Sequence, residues 1–423
     1  MATDAALEFI SGISDFIQAS PTSYHAAAEI ARQLSEAEFT QLDEKVPWHI
    51  KAGGYFFVRD GAVIAWVVPH DIDQHTGFRV VGSHTDSPGF KLKPHATTTT
   101  AGWQQAGMEV YGGPLLNSWL DRELGLAGRL TTLDGRTHLV RTGPLLRIAQ
   151  LAPHLDRSVN ESLHLDRQAH LMPLFSVANP DADVSTVLAD QVGVAASEVA
   201  FHEVFACPTE TPGTFGWDQE FFACWRLDNL SSVYPSLVAL QQAEVGHDIA
   251  VMACFDHEEI GSESRSGASG PVLADALQRI AHSLGHDGDR FHAMIARSSC
   301  ISADAGHAVH PNYVGMHDPN NRPLVNGGPL LKINANQRYS TDAVGAALWM
   351  RACDEAGVPT QTFVSNNAVP CGSTIGPLTA SRLGMTTVDV GIPLLSMHSA
   401  REMCGGEDPL LLARVLEAYW AGA

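Results

Sequence analysis

Five short segments combine imidazoles and carboxylates next to apolar runs. In Val80-Val81-Gly82-Ser83-His84-Thr85-Asp86-Ser87-Pro88-Gly89 an apolar strand leads into His-x-Asp and then a turn. On an extended backbone His84 and Asp86 point to one face. Taken alone, such a pair is more often a satisfied turn than a metal site. Arg226-Leu227-Asp228-Asn229 precedes a helical pattern, where Asp and Asn are ordinary N-caps. Phe255-Asp256-His257-Glu258-Glu259-Ile260-Gly261-Ser262 places four ionisable residues directly after an apolar strand. A solvated loop tip accounts for it poorly. Burying the strand draws the carboxylates toward the sheet edge, which costs free energy unless a cation receives them. Asp304 follows the run Ile301-Ser302-Ala303. His398 lies in Ser396-Met397-His398-Ser399-Ala400-Arg401-Glu402, beyond another strand.

Four of these segments follow strands and one precedes a helix. In open α/β sheets ligands bind beyond the carboxyl ends of the strands. His84, Asp228, Glu259, Asp304 and His398 are therefore expected to converge on one crevice. Two imidazoles and three carboxylates, with no thiolate, suit a pair of divalent ions such as zinc, manganese or cobalt. Two ions ~3.5–4 Å apart need a carboxylate between them, and water held there ionises near neutrality. A base must still take its proton. Glu258, beside Glu259 but free to point elsewhere, is the candidate.

The elements that must position these residues read as α/β. Two helices come first, broken at Pro21-Thr22-Ser23. Strand signals follow at 55–58, 62–68 and 78–81. From about 95 to 218 short strand-like runs sit among Gly and Pro, with one short helical piece at 184–190. That stretch is too long and too apolar for a linker, so it reads as a β-rich insertion. Afterwards the α/β pattern returns, with strands at 249–255, 298–303 and 386–390 and helices at 271–284, 343–356 and 409–420.

Composition narrows the function classes. The chain has 423 residues, with 47 acidic and 26 basic, a formal net charge of −21. That balance argues against nucleic acid and against an anionic membrane surface as partners. No apolar run approaches the ~20 residues of a spanning helix, and the first residues do not read as a signal peptide. Seven cysteines without a Cys-x-x-Cys pair read as free thiols of a cytoplasmic protein.

The motifs around His84, Asp228, Glu258 and His398 resemble those of the M18 metallo-aminopeptidases, the aspartyl aminopeptidase group. Asn336-Gln337-Arg338-Tyr339 and Cys371-Gly372-Ser373-Thr374-Ile375-Gly376-Pro377 resemble two further signatures of that family. The resemblance implies a zinc-peptidase α/β/α sandwich interrupted by a β-rich dimerisation domain. The corresponding division is a catalytic domain at 1–94 and 221–423 and an oligomerisation domain at 95–220. It also implies two Zn²⁺ ions bridged by Asp228, one held by His84 and Asp304, the other by Glu259 and His398. Glu258 matches the general base, and Asp86 the acid that orients His84. His154 resembles a residue that reaches a neighbouring subunit's site; otherwise it is a surface histidine. Lys332 and Tyr339 fall in a segment that lines the substrate pocket, where Lys332 could meet an acidic P1 side chain; otherwise it is a solvated loop lysine. The expected activity is removal of N-terminal residues from peptides, with acidic residues preferred, by a tetrahedral homododecamer. The alternatives are a neutral-preferring aminopeptidase or another two-metal amidohydrolase, a deacylase or carboxypeptidase. A serine hydrolase is disfavoured, because no Gly-x-Ser-x-Gly occurs.

Overall fold

The computed structural model describes residues 3–423. They form two compact units. One comprises the residues up to Asp86 with Pro212–Met397 and Glu402–Ala423; the other comprises Ser87–Thr211 and His398–Arg401.

The first unit is built on a nine-stranded mixed sheet. Its centre is four parallel strands in the order Ile249–Phe255, Phe78–His84, Ser299–Ala303, Thr386–Gly391. Antiparallel strands flank them, Ala62–Val68 on one side and Leu330–Ile333 on the other. Strands covered on both faces must be apolar on both faces, and all seven residues of Ile249–Phe255 are buried. Alternation divides their side chains between the faces. Val80, Val251, Ala253 and Phe255 share a cluster with Val272, Leu273, Ala276, Leu277 and Ile280 of the helix Val272–Ser283. Val81, Met252 and Cys254 point the other way. The helices Leu227–Gln242 and Asp408–Ala421 pack on each other and on the strand Phe78–His84.

Register brings the strand exits level. Phe255 stands opposite His84, Ser302 opposite Gly82 and Ala303 opposite Val390. The segments that begin at Thr85, Asp256 and Asp304 therefore leave one edge of the sheet together. A smaller five-stranded sheet in this unit pairs Phe221–Cys224 with Glu402–Gly405, setting Glu402 against Cys224.

The second unit is a seven-stranded antiparallel sheet. Its strand Val199–Pro208 pairs with both Gly89–Thr100 and Glu123–Thr132, which closes the sheet into a barrel. Closure removes exposed strand edges. Phe90, Leu92, Met108, Trp119, Leu126 and Val204 are among its core residues. Gly128 lets two strands approach closely; a Cβ there would overlap the Glu203 carbonyl. The architecture is thus mixed α/β around a central mixed sheet, with a separate β-barrel, as the sequence led us to expect. Among the described residues no helix is long and apolar enough to cross a membrane.

Candidate metal centre

His84 ends its strand with its side chain 1% exposed. Its Nε2 lies 3.4 Å from Asp228 Oδ1, 3.5 Å from Asp304 Oδ1 and 4.0 Å from Glu258 Oε2. Its Nδ1 lies 3.1 Å from the Asp86 carbonyl oxygen. That contact suits an Nδ1–H donor and leaves the Nε2 lone pair for a cation.

The Glu258 and Glu259 carboxylates ride on a short 3₁₀ turn, Glu258–Ile260, entered through His257 at φ 65° and left through Gly261 at φ 99°. Asp86 fixes that turn. Its two carboxylate oxygens accept the backbone N–H of Glu258 at 3.0 Å and of Glu259 at 3.2 Å. Asp86 Oδ1 is also 3.5 Å from His84 Nδ1. One side chain thus sets both the imidazole and the paired glutamates.

Asp228 lies within the span Leu227–Gln242, but its backbone, φ −82° and ψ 102°, is not helical. Asp228 and Asn229 thus break the span near its start, ahead of the regular helix. Arg226 precedes it in the left-handed region, with its buried guanidinium donating to the Ser20 and Thr85 carbonyls. Asn229 Nδ2 donates to the Ala303 carbonyl at 2.9 Å, which ties the segment to the strand that delivers Asp304. Glu402, 1% exposed, accepts the Asp228 N–H at 3.0 Å.

The donor set fits divalent cations. Ligand atoms of His84, Asp228 and Asp304 lie within 4.8 Å of one another, as do those of His84, Glu258 and Glu259. Burial would lower the His84 imidazole, but Asp228, Asp304 and Asp86 outweigh it and hold it well above its ordinary value. Burial also pushes Glu258 up to about 8; Asp304, Asp86 and Asp228 add to the push and His84 opposes it. Each buried aliphatic side chain of the strands contributes about 1.5–3 kcal/mol. A buried ion without compensation costs several kcal/mol. Such a group of carboxylates at the strand ends must take up protons or a cation, and hard oxygen donors with one imidazole are what zinc accepts.

The remaining sequence-predicted residues fall as follows. His398 belongs to the second unit, at φ 67°, with Nδ1 2.9 Å from the Gly113 carbonyl oxygen. Lys332 is on the strand Leu330–Ile333 rather than in a loop, and is 1% exposed. Its ammonium donates to the Ala305 carbonyl at 2.7 Å and stands 5.3 Å from the Tyr339 ring centroid. Tyr339 is buried, with Cys371 beside it. His154 is exposed in the second unit.

Sequence reasoning overlooked the supports. Glu402 stands in a quoted motif, yet nothing marked it as an acceptor for Asp228. Asp389, fully buried, accepts from the N–H and hydroxyl of Ser340 and from the Thr374 hydroxyl, which ties one signature segment to the residue that follows the other. The available signal was an acid inside an apolar strand, Thr-Thr-Val-Asp-Val-Gly.

The family described as "Aminopeptidase I zinc metalloprotease (M18)" matches residues 16–420. A "Probable M18 family aminopeptidase 2" of Streptomyces coelicolor is 49% identical over 412 residues, covering 96% of this chain and 95% of that protein. Among solved structures, the chain in "Cryo-EM structure of the Ape4 and Nbr1 complex" is 35% identical with a TM-score of 0.95, over 99% of this chain and 86% of that one. The "S. cerevesiae mApe1 dodecamer" is 28% identical with a TM-score of 0.86, over 99% and 97%. The chain therefore belongs to the M18 family of zinc metallo-aminopeptidases.

Proposed function

We propose that this aminopeptidase prefers peptides with an N-terminal Asp or Glu and works with two divalent ions. Asp228 would serve both, His84 and Asp304 would hold one, and Glu259 and His398 would hold the other. The motif matches and the donor set around His84 support this ligand assignment. When bound, such a pair polarises the scissile carbonyl and acidifies water. The protein's own residues do the rest. Glu258 takes the proton of the attacking water and returns it to the leaving amine. It must start as a carboxylate, and cationic charge at the neighbouring ligands opposes the burial that pushes it up. Asp86 holds Glu258 in reach by its backbone.

The preference for acidic residues rests on Lys332. Among the described residues its buried ammonium has one hydrogen-bond acceptor, the Ala305 carbonyl, and no carboxylate partner. An ammonium has three donors, so two remain for a substrate carboxylate. Such a charged hydrogen bond is worth about 1.5–3 kcal/mol, or roughly ten- to a hundredfold in kcat/KM. Glu- and Asp-anilides should be cleaved faster than Leu-anilide, and Lys332→Met should narrow the gap by slowing the acidic substrates. A wild type faster on Leu-anilide would overturn the Lys332 role and leave the metal assignment standing.

We further propose that the segment 95–220 mediates association and that the protein is a tetrahedral dodecamer in which His154 reaches a neighbouring site. The dodecamer of the 28%-identical mApe1 supports the assembly.

A further inference from the structure

A cavity of about 480 Å³ lies beside Tyr339, lined by Asn334, Asn336, Arg338, Asn366, Asn367 and Cys371 among others. No acidic residue lines it, although the chain carries 47 acidic residues against 26 basic ones. Among the described residues the Arg338 guanidinium has neither a hydrogen-bond nor an ion-pair partner. The loops around it are held by their own side chains. Asn334 Oδ1 accepts the N–H of Asn336 at 2.9 Å and of Arg338 at 3.4 Å. Asn366 Nδ2 donates to the Gly315 and His317 carbonyls, while its Oδ1 accepts the Ala368 N–H. The cavity is thus formed before anything enters it, which lowers the cost of binding.

One of its lining segments continues toward the metal centre. Tyr339 follows Arg338, turns inward and packs against Cys371, a lining residue. Lys332, whose ammonium is 5.3 Å from the Tyr339 ring, donates to the carbonyl of Ala305, the residue after Asp304, so the Arg338-Tyr339 segment leads from the cavity toward the metal centre.

We propose that this cavity receives the part of the peptide beyond the scissile bond and that Arg338 pairs with a carboxylate there. A guanidinium among amides, without competing acids, is matched to a carboxylate, which it can bind through two parallel N–H···O bonds. The carboxylate can be the C-terminus of a short peptide or an acidic side chain at the second or third residue. The inference rests on aminopeptidase activity and is independent of Lys332 and the P1 preference.

The test uses the zinc-loaded full chain and four tripeptides with one N-terminal residue: Glu-Ala-Ala as free acid, the same peptide as C-terminal amide, Glu-Glu-Ala-amide and Glu-Ala-Glu-amide. The neutral-tailed amide should have kcat/KM about ten- to a hundredfold below at least one carboxylate-bearing peptide, mostly through KM. Faster free acid alone identifies the C-terminus as the partner; faster Glu-bearing amides identify the side chain. Arg338→Met should collapse that ratio toward one, and Arg338→Lys should restore part of it. Melting curves of both variants report folding of this exposed position. Equal cleavage of all four by wild type, or a ratio unchanged in Arg338→Met, would overturn the subsite alone. Wild type inert on every peptide would overturn the peptide-tail reading at its root.

Discussion

Adjacent glutamates can carry different duties only if the backbone parts them. Glu258 and Glu259 share a 3₁₀ turn whose two N–H groups end on one carboxylate, Asp86. A residue of either type would form the turn; the carboxyl chemistry separates them. Glu258→Gln keeps shape and hydrogen bonding but cannot take a proton. Its metal content, read by elemental analysis after dialysis, should match wild type while kcat falls ~10²–10⁴-fold. Glu259→Gln should instead lose an ion. The reverse pattern would exchange the two assignments.

Elements hold the site through buried acids away from the metals. Asp408 opens the final helix, Asp408–Ala421, fully buried. It accepts the N–H of Asn326 at 2.7 Å and of Gly328 at 3.3 Å. Burial dominates even so and pushes its carboxyl from 3.8 up to about 7. The sign follows from which state binds the proton. Between the unfolded value and about 7 the folded chain keeps the proton and the unfolded chain has lost it. Asp408 therefore contributes stability at acid pH that drains away as pH rises from about 4 to 7 and then stays constant. The full loss approaches about 4 kcal/mol. Asp408→Asn cannot ionise, so the stability of wild type relative to this variant should fall across that window in denaturant titrations. A difference that does not change with pH would mean that Asp408 is ionised throughout.

At the scale of the whole molecule, charge and assembly matter. A net charge of −21 repels acidic peptides at long range, so any taste for them must be local, at groups such as Lys332. If subunits share sites through His154, two kinds of dead chain should complement each other. Mixing inactive Glu258→Gln chains with inactive His154→Ala chains should restore part of the activity in oligomers verified to contain both. Absence of rescue would return His154 to the exposed surface where a single chain shows it.

Much of the scaffold was legible because burial writes itself into pattern. The run 249–255 is apolar at every position and is the central strand Ile249–Phe255, and 62–68 and 343–356 have the bounds of Ala62–Val68 and Ala343–Ala356. The break at Pro21 is followed by a helix that Thr22 caps, its hydroxyl accepting from the His25 N–H. The candidate ligands were legible because ionisable groups at apolar strand ends need a reason to be there. Local pattern failed where the reason is distant in sequence. The four threonines Thr97–Thr100 are the end of the barrel strand Gly89–Thr100, paired with residues beyond a tight turn. Asp228 reads as an N-cap, and only the tie of Asn229 to Ala303 and the Glu402 acceptor, 174 positions away, turn it toward His84. Lys332, a pocket lysine or else a loop lysine by its sequence, is buried because its strand pairs with Thr386–Gly391 and Gln361–Val364. Side-chain periodicity reports how much of an element is buried. Which carboxylate meets which imidazole depends on strand order and register, and these are decided by pairings between segments that the linear sequence keeps far apart.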